Sequence, residues 1–99
     1  MFERYKPRYM TRAVADRLSE EHVQFIFRYI DEKNERMTDY LQVFEFYVEN
    51  NEQWLIQRQE QPERETTVFV PLKQATPIEQ TVWVMDQRDY IILLFPSCY

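Results

Sequence analysis

Residues 39–60 read DYLQVFEFYVENNEQWLIQRQE, two runs rich in aromatic and β-branched residues that meet at Asn50-Asn51. Asparagine tolerates the positive φ that a tight hairpin turn requires, so this stretch predicts a β-hairpin. If the loop is those two residues alone, Phe46 faces Leu55, Tyr47 faces Trp54 and Val48 faces Gln53. Phe44, Phe46, Val48 and Leu55 then line one apolar face, and Tyr47, Trp54 and Ile56 line a second, amphipathic one. A hairpin this apolar on both sides belongs inside a sheet, with a helix covering one face.

The rest of the chain supplies that helix and further strands. Ser19 is a suitable N-cap, Glu20 and Glu21 suit the positive helix end, and Leu18 can staple onto Val23. Val23, Ile26, Phe27 and Ile30 follow the spacing of one helical face, widened by Phe25 and Tyr29, and the helix should end between Lys33 and Met37. Residues 1–7 read as a flexible basic arm, and Arg8–Val14 as a short strand. Gln61–Glu65 reads as a polar turn and Thr66–Leu72 as a strand that ends at Pro71 or lies at an edge. Thr81–Met85 and Tyr90–Phe95 then form a second hairpin. The expected architecture is one domain over residues 1–99, of class α+β: a mainly antiparallel sheet of five or six strands with one amphipathic helix on one face.

Composition narrows the chemistry. There is no glycine in 99 residues. A phosphate-binding loop, a dinucleotide fingerprint and a nucleophile elbow all need glycine for close backbone approach, so none is present. Positive-φ positions must fall to residues such as Asn34, Asn50, Asn51, Asp86 or Asp89. The one cysteine, Cys98, allows neither an intrachain disulfide nor a thiolate zinc site and fits a reducing compartment. The stretch MFERYKPRYM lacks the apolar core of a signal peptide, and no apolar run approaches the ~20 residues that span a bilayer. A cytoplasmic protein is expected, with no membrane contact.

Candidate catalytic groups are sparse. His22 lies in the first helical turn beside Ser19, which the cap already uses, and reads as a half-exposed helix histidine. The carboxylate pairs Asp31/Glu35, Glu63/Glu65 and Asp86/Asp89 fall in turns or on a solvated helix side, where water relieves their repulsion. No metal, cofactor or catalytic residue is assigned. Charge is unevenly spread: residues 1–18 carry five basic and two acidic groups, a balance of +3, and residues 19–99 seven and fifteen, a balance of −8.

Several segments together resemble domain of unknown function 960, a family of small bacterial and prophage-borne proteins. They are Arg8-Tyr9-Met10-Thr11-Arg12, Asp39-Tyr40-Leu41-Gln42-Val43-Phe44-Glu45, Arg58-Gln59-Glu60-Gln61-Pro62-Glu63, Val82-Trp83-Val84-Met85-Asp86 and Leu94-Phe95-Pro96. The resemblance implies a compact single domain and a gene near mobile elements, and it carries over no catalytic residue.

The leading functional expectation is a non-enzymatic interaction or regulatory domain that binds another macromolecule, in the first place a protein. Sixteen aromatic residues exceed what a small core readily hides, and exposed Tyr and Trp favour binding surfaces. Tyr47, Trp54 and Trp83 are the expected partner-binding aromatics, on whichever sheet face the helix leaves open; Arg8 and Arg12 are the basic candidates. The arm's mixture of guanidinium and aromatic groups also suits nucleic acid, but an acidic body of pI ≈ 4.9 repels that backbone. Two alternatives stay open: an acidic mimic of nucleic acid that inhibits a nucleic-acid-binding protein, and a small-ligand or hydrolytic domain.

Overall fold

Asn50 and Asn51 adopt φ of 52° and 63°, as a two-residue hairpin turn demands. They join β2 (Leu41–Glu49) to β3 (Glu52–Glu60) in the anticipated register, with Phe46 opposite Leu55, Tyr47 opposite Trp54 and Val48 opposite Gln53. The structure, a computed structural model, describes residues Met1–Tyr99. The remaining strands are β1 (Arg8–Met10), β4 (Glu63–Phe69), β5 (Gln80–Asp86) and β6 (Ile91–Leu94). They form one six-stranded sheet in the order β1-β6-β5-β2-β3-β4. Every pairing is antiparallel except β1 with β6.

Two helices precede the central hairpin, α1 (Arg12–Arg17) and α2 (Glu20–Lys33). On α2 the buried positions are His22, Val23, Ile26, Tyr29 and Ile30, with Phe25 and Phe27 packed at the margins. They close over Phe44 and Phe46 of β2, Leu55 of β3, Val82 and Val84 of β5, and Ile91 and Leu93 of β6. Burying an isoleucine or phenylalanine contributes about 1.5–3 kcal/mol, so this layer is the main source of stability.

Helix α1 corrects the expected Arg8–Val14 strand. Extended structure ends at Met10 because the Thr11 hydroxyl accepts the Val14 N–H at 3.3 Å and caps a helix. As a strand, Arg12 and Val14 would share a face; as a helix, Arg12 stays in water while Val14 and Leu18, one turn apart, enter the core. Strand β4 also begins earlier than expected, at Glu63 opposite Glu60, so the turn shrinks to Gln61-Pro62.

Residues 1–7 are docked rather than loose. Phe2 is fully buried, in a left-handed conformation (φ 59°) that a phenylalanine adopts only when its surroundings enforce it. Its N–H donates to Asp86 Oδ2 at 3.2 Å, and Lys6 Nζ meets Asp86 Oδ1 at 2.7 Å. Asp86 pairing raises the Lys6 pKa. Arg4 donates to the Asp31 carbonyl at 3.0 Å, and Arg8 grips the Asp31 carboxylate through both of its terminal nitrogens. That grip holds the Asp31 pKa below the usual carboxylate range. Asp31 and Asp86, read from sequence as solvated members of carboxylate pairs, are therefore the sockets for the basic segment.

The segment from β4 to β5 crosses the start of α2. There Glu21 accepts the backbone N–H groups of Lys73, Gln74 and Ala75 at 2.7–2.8 Å, and these three donors lower its pKa. No helix is long and apolar enough to cross a membrane.

Candidate functional site

Side chains alternate along a strand, and the register assigns each to the helix-covered face or the open one. On the open face Tyr47 stands directly opposite Trp54, and Trp54 directly opposite Phe69. The last two rings meet edge to face with centroids 5.2 Å apart. This aromatic row crosses β2, β3 and β4 near the Asn50-Asn51 turn. Trp83 lies two rows away, between Val43 on β2 and Leu94 on β6, with Tyr99 edge-on at 5.7 Å. Ile56 and Thr67 fill the space between the rows, and Tyr9, packed against Tyr90 at 5.5 Å, closes the far corner.

The three aromatics anticipated from sequence thus share one face. Phe69 is 43% exposed and Tyr9 54%, whereas their counterparts on the covered face, Phe44 and Leu55, are at 0%. The two basic candidates stand elsewhere. Arg8 belongs to the covered face, held by Asp31 and lying over the Phe27 ring at 5.3 Å. Arg12 sits at the start of α1, its side chain 94% exposed and only loosely paired with Asp16. Sequence reasoning missed Phe69 and Arg58. Phe69 was legible in principle, because the alternation along β4 sets it on the same face as Trp54 once Glu63 opposes Glu60. Arg58 bonds Glu45 across β2 and approaches Glu65 across β4 at 3.5 Å, an ion-pair ladder in the middle of the open face.

A hydrolytic reading would centre on His22, and its surroundings are specific. The residue is fully buried rather than half-exposed. Nδ1 lies 2.6 Å from Ser19 Oγ, Nε2 lies 2.9 Å from Gln53 Oε1, and the ring meets Phe46 edge-on. The Gln53 amide nitrogen faces the carbonyls of Tyr47, Trp54 and Ile78, which fixes its oxygen toward His22. Hence His22 donates from Nε2, and Nδ1 accepts the Ser19 hydroxyl proton. Ser19 Oγ in turn accepts the His22 backbone N–H at 3.2 Å. Each polar atom in the chain is spent on a neighbour, so the triad of residues locks the start of α2 onto β3 and the β4–β5 segment.

At the other end of α2, Gln42, Gln57 and Gln59 are buried in a side-chain network that reaches Thr38 and Pro62. The recess beside them, lined in part by Lys33, Arg36 and Arg64, has a volume of about 10 Å³, room for roughly one water.

Comparison with solved structures finds the same fold in a protein of unknown function from Enterococcus faecalis. The TM-score is 0.86 at 19% identity over 97% of this chain and 92% of that one. No curated protein matches the sequence. A family profile described as staphylococcal protein of unknown function (DUF960) matches residues 7–98. With nearly the whole chain inside that match, the protein belongs to the DUF960 family.

Proposed function

We propose that the protein is a non-enzymatic interaction domain of the cytoplasm that binds a protein partner through the open face of its sheet. The observation that carries this reading is the grouping of Tyr47, Trp54, Phe69 and Trp83 on the one face without a helix. Large rigid aromatics bury much area at little entropic cost, and here Tyr47, Trp54 and Trp83 are half-buried while Phe69 is 43% exposed. The six strands span a footprint of roughly 600 Å² at about 3.3 Å per residue and 4.8 Å between strands. That is of the order of the ~800 Å² each partner contributes to a standard interface. A small-ligand reading draws little support, since the most enclosed recess holds about 10 Å³ and the larger hollows, of about 350–440 Å³, are open depressions of the surface. A hydrolytic one draws none from a His22 whose two ring nitrogens are both engaged.

The test is affinity capture from the native host with the wild-type protein and with Trp54→Ser/Trp83→Ser. The expected result is a partner retained by the first and lost by the second while circular dichroism stays native. Equal retention by both overturns the proposal.

A further inference from the structure

The open face is not only aromatic but acidic. Glu45, Glu49, Glu52, Glu60, Glu63 and Glu65 all project from it, against the single cation Arg58. Two of the cross-strand pairs are like-charged: Glu49 stands directly opposite Glu52, and Glu60 directly opposite Glu63. Directly opposed like charges weaken a sheet, so neither pair stabilises the fold.

The molecule does not compensate these charges itself. Arg58 is occupied by Glu45 and Glu65, while Glu49, Glu52, Glu60 and Glu63 make no ion pair. Of the basic residues before α2, Lys6 is engaged by Asp86, Arg4 and Arg8 by Asp31, and Arg17 over the Phe95 ring at 4.3 Å, while Arg12 stays in water at the start of α1. Along β2, Tyr47 lies between Glu45 and Glu49; along β3, Glu52 precedes Trp54 by two residues. Alternating carboxylates and electron-rich ring faces within ~7 Å of one another is an arrangement that accepts guanidinium and ammonium groups, by ion pairing and by cation–π contact.

We infer that the partner presents an arginine- and lysine-bearing protein segment to the open face, its cations meeting Glu49, Glu52 and the Tyr47–Trp54 row. This rests on the reading of that face as the binding surface and specifies the chemistry of what it takes. A second copy of this chain would bring the same carboxylates against themselves and is disfavoured by charge.

The test uses the full chain and three synthetic peptides of equal length: one alternating arginine with leucine, one with glutamine in place of arginine, and one with glutamate. Titrations follow tryptophan emission, because Trp54 and Trp83 are the only tryptophans and both lie on this face. The basic peptide should bind at least about tenfold more tightly than the neutral one, with affinity falling as salt screens the charges. E49Q/E52Q should weaken it by about tenfold, whereas E32Q/E35Q, which removes as many charges elsewhere, should leave it unchanged. Equal binding of the neutral peptide, or equal loss in both double variants, overturns the basic-partner inference and leaves the binding face standing. If no peptide alters the emission and a captured partner does, the inference again fails alone. If neither does, the binding face falls with it.

Discussion

Gln53 is the most connected single side chain in the molecule. Its amide nitrogen serves the carbonyls of Tyr47, Trp54 and Ile78, and its oxygen accepts from the Ile78 N–H at 2.7 Å and from His22. It is 2% exposed, so none of these groups has water in reserve. Gln53→Met keeps the volume and removes the bonds, and each buried group left unpaired costs about 1–3 kcal/mol. Denaturant unfolding should therefore show a loss well beyond the ~0.5 kcal/mol of an ordinary surface change; Thr67→Ala on the open face is the comparison. A Gln53→Met protein as stable as Thr67→Ala would mean the amide is not holding the segment. At this scale the Asn50-Asn51 turn is legible in the sequence, since a chain without glycine has few residues that accept positive φ. The burial of His22 is not. Its place in the first helical turn says half-exposed, and what covers it arrives 31 residues later as Gln53.

Helix α2 and the central hairpin are local patterns, and both stand where periodicity puts them. Helix α1 and the docked first residues are not local. Six residues give too little periodicity to separate helix from strand, and the groups that dock Phe2 into the core, among them Asp86, which accepts its N–H, lie up to 84 positions away. The basic charge of the first segment, suggestive of a recognition arm, serves instead to fasten it to Asp31 and Asp86. Deleting residues 1–7 should accordingly lower the melting temperature, since it removes a fully buried phenylalanine and the Lys6–Asp86 pair; unchanged melting would show the segment to be dispensable. The Arg8–Asp31 clamp adds a pH signature. Because Asp31 has a lowered pKa when folded, its contribution is present above the ordinary carboxylate value of about 4. It is lost as pH falls through the lowered one. Asp31→Asn should be less stable than wild type at neutral pH and lose less on acidification, with the two melting curves converging once the pH has fallen through the lowered value.

Across the whole molecule the two sheet faces have different tasks. One is filled by α2, α1 and the first residues and carries the stability; the other carries carboxylates and half-buried rings that stay partly in water, although Met85 and Leu94 on it are buried. Sequence alternation assigned Tyr47 and Trp54 to a common face. It could not give the strand order, in which β5 pairs with β2 and a short parallel β1 closes the edge, because those contacts join segments far apart in the chain. That order sets Trp83 on the same face as Tyr47 and Trp54, and it excludes Arg8 from it. The claim that this face is the working surface can be read directly from the two tryptophans it holds. Acrylamide quenching of their emission should be measured for the free protein and for its complex with the captured partner. Shielding of both indoles in the complex, seen separately in Trp54→Phe and Trp83→Phe proteins, is the predicted result. A stable complex in which both indoles remain as open to acrylamide as in the free protein would contradict the account.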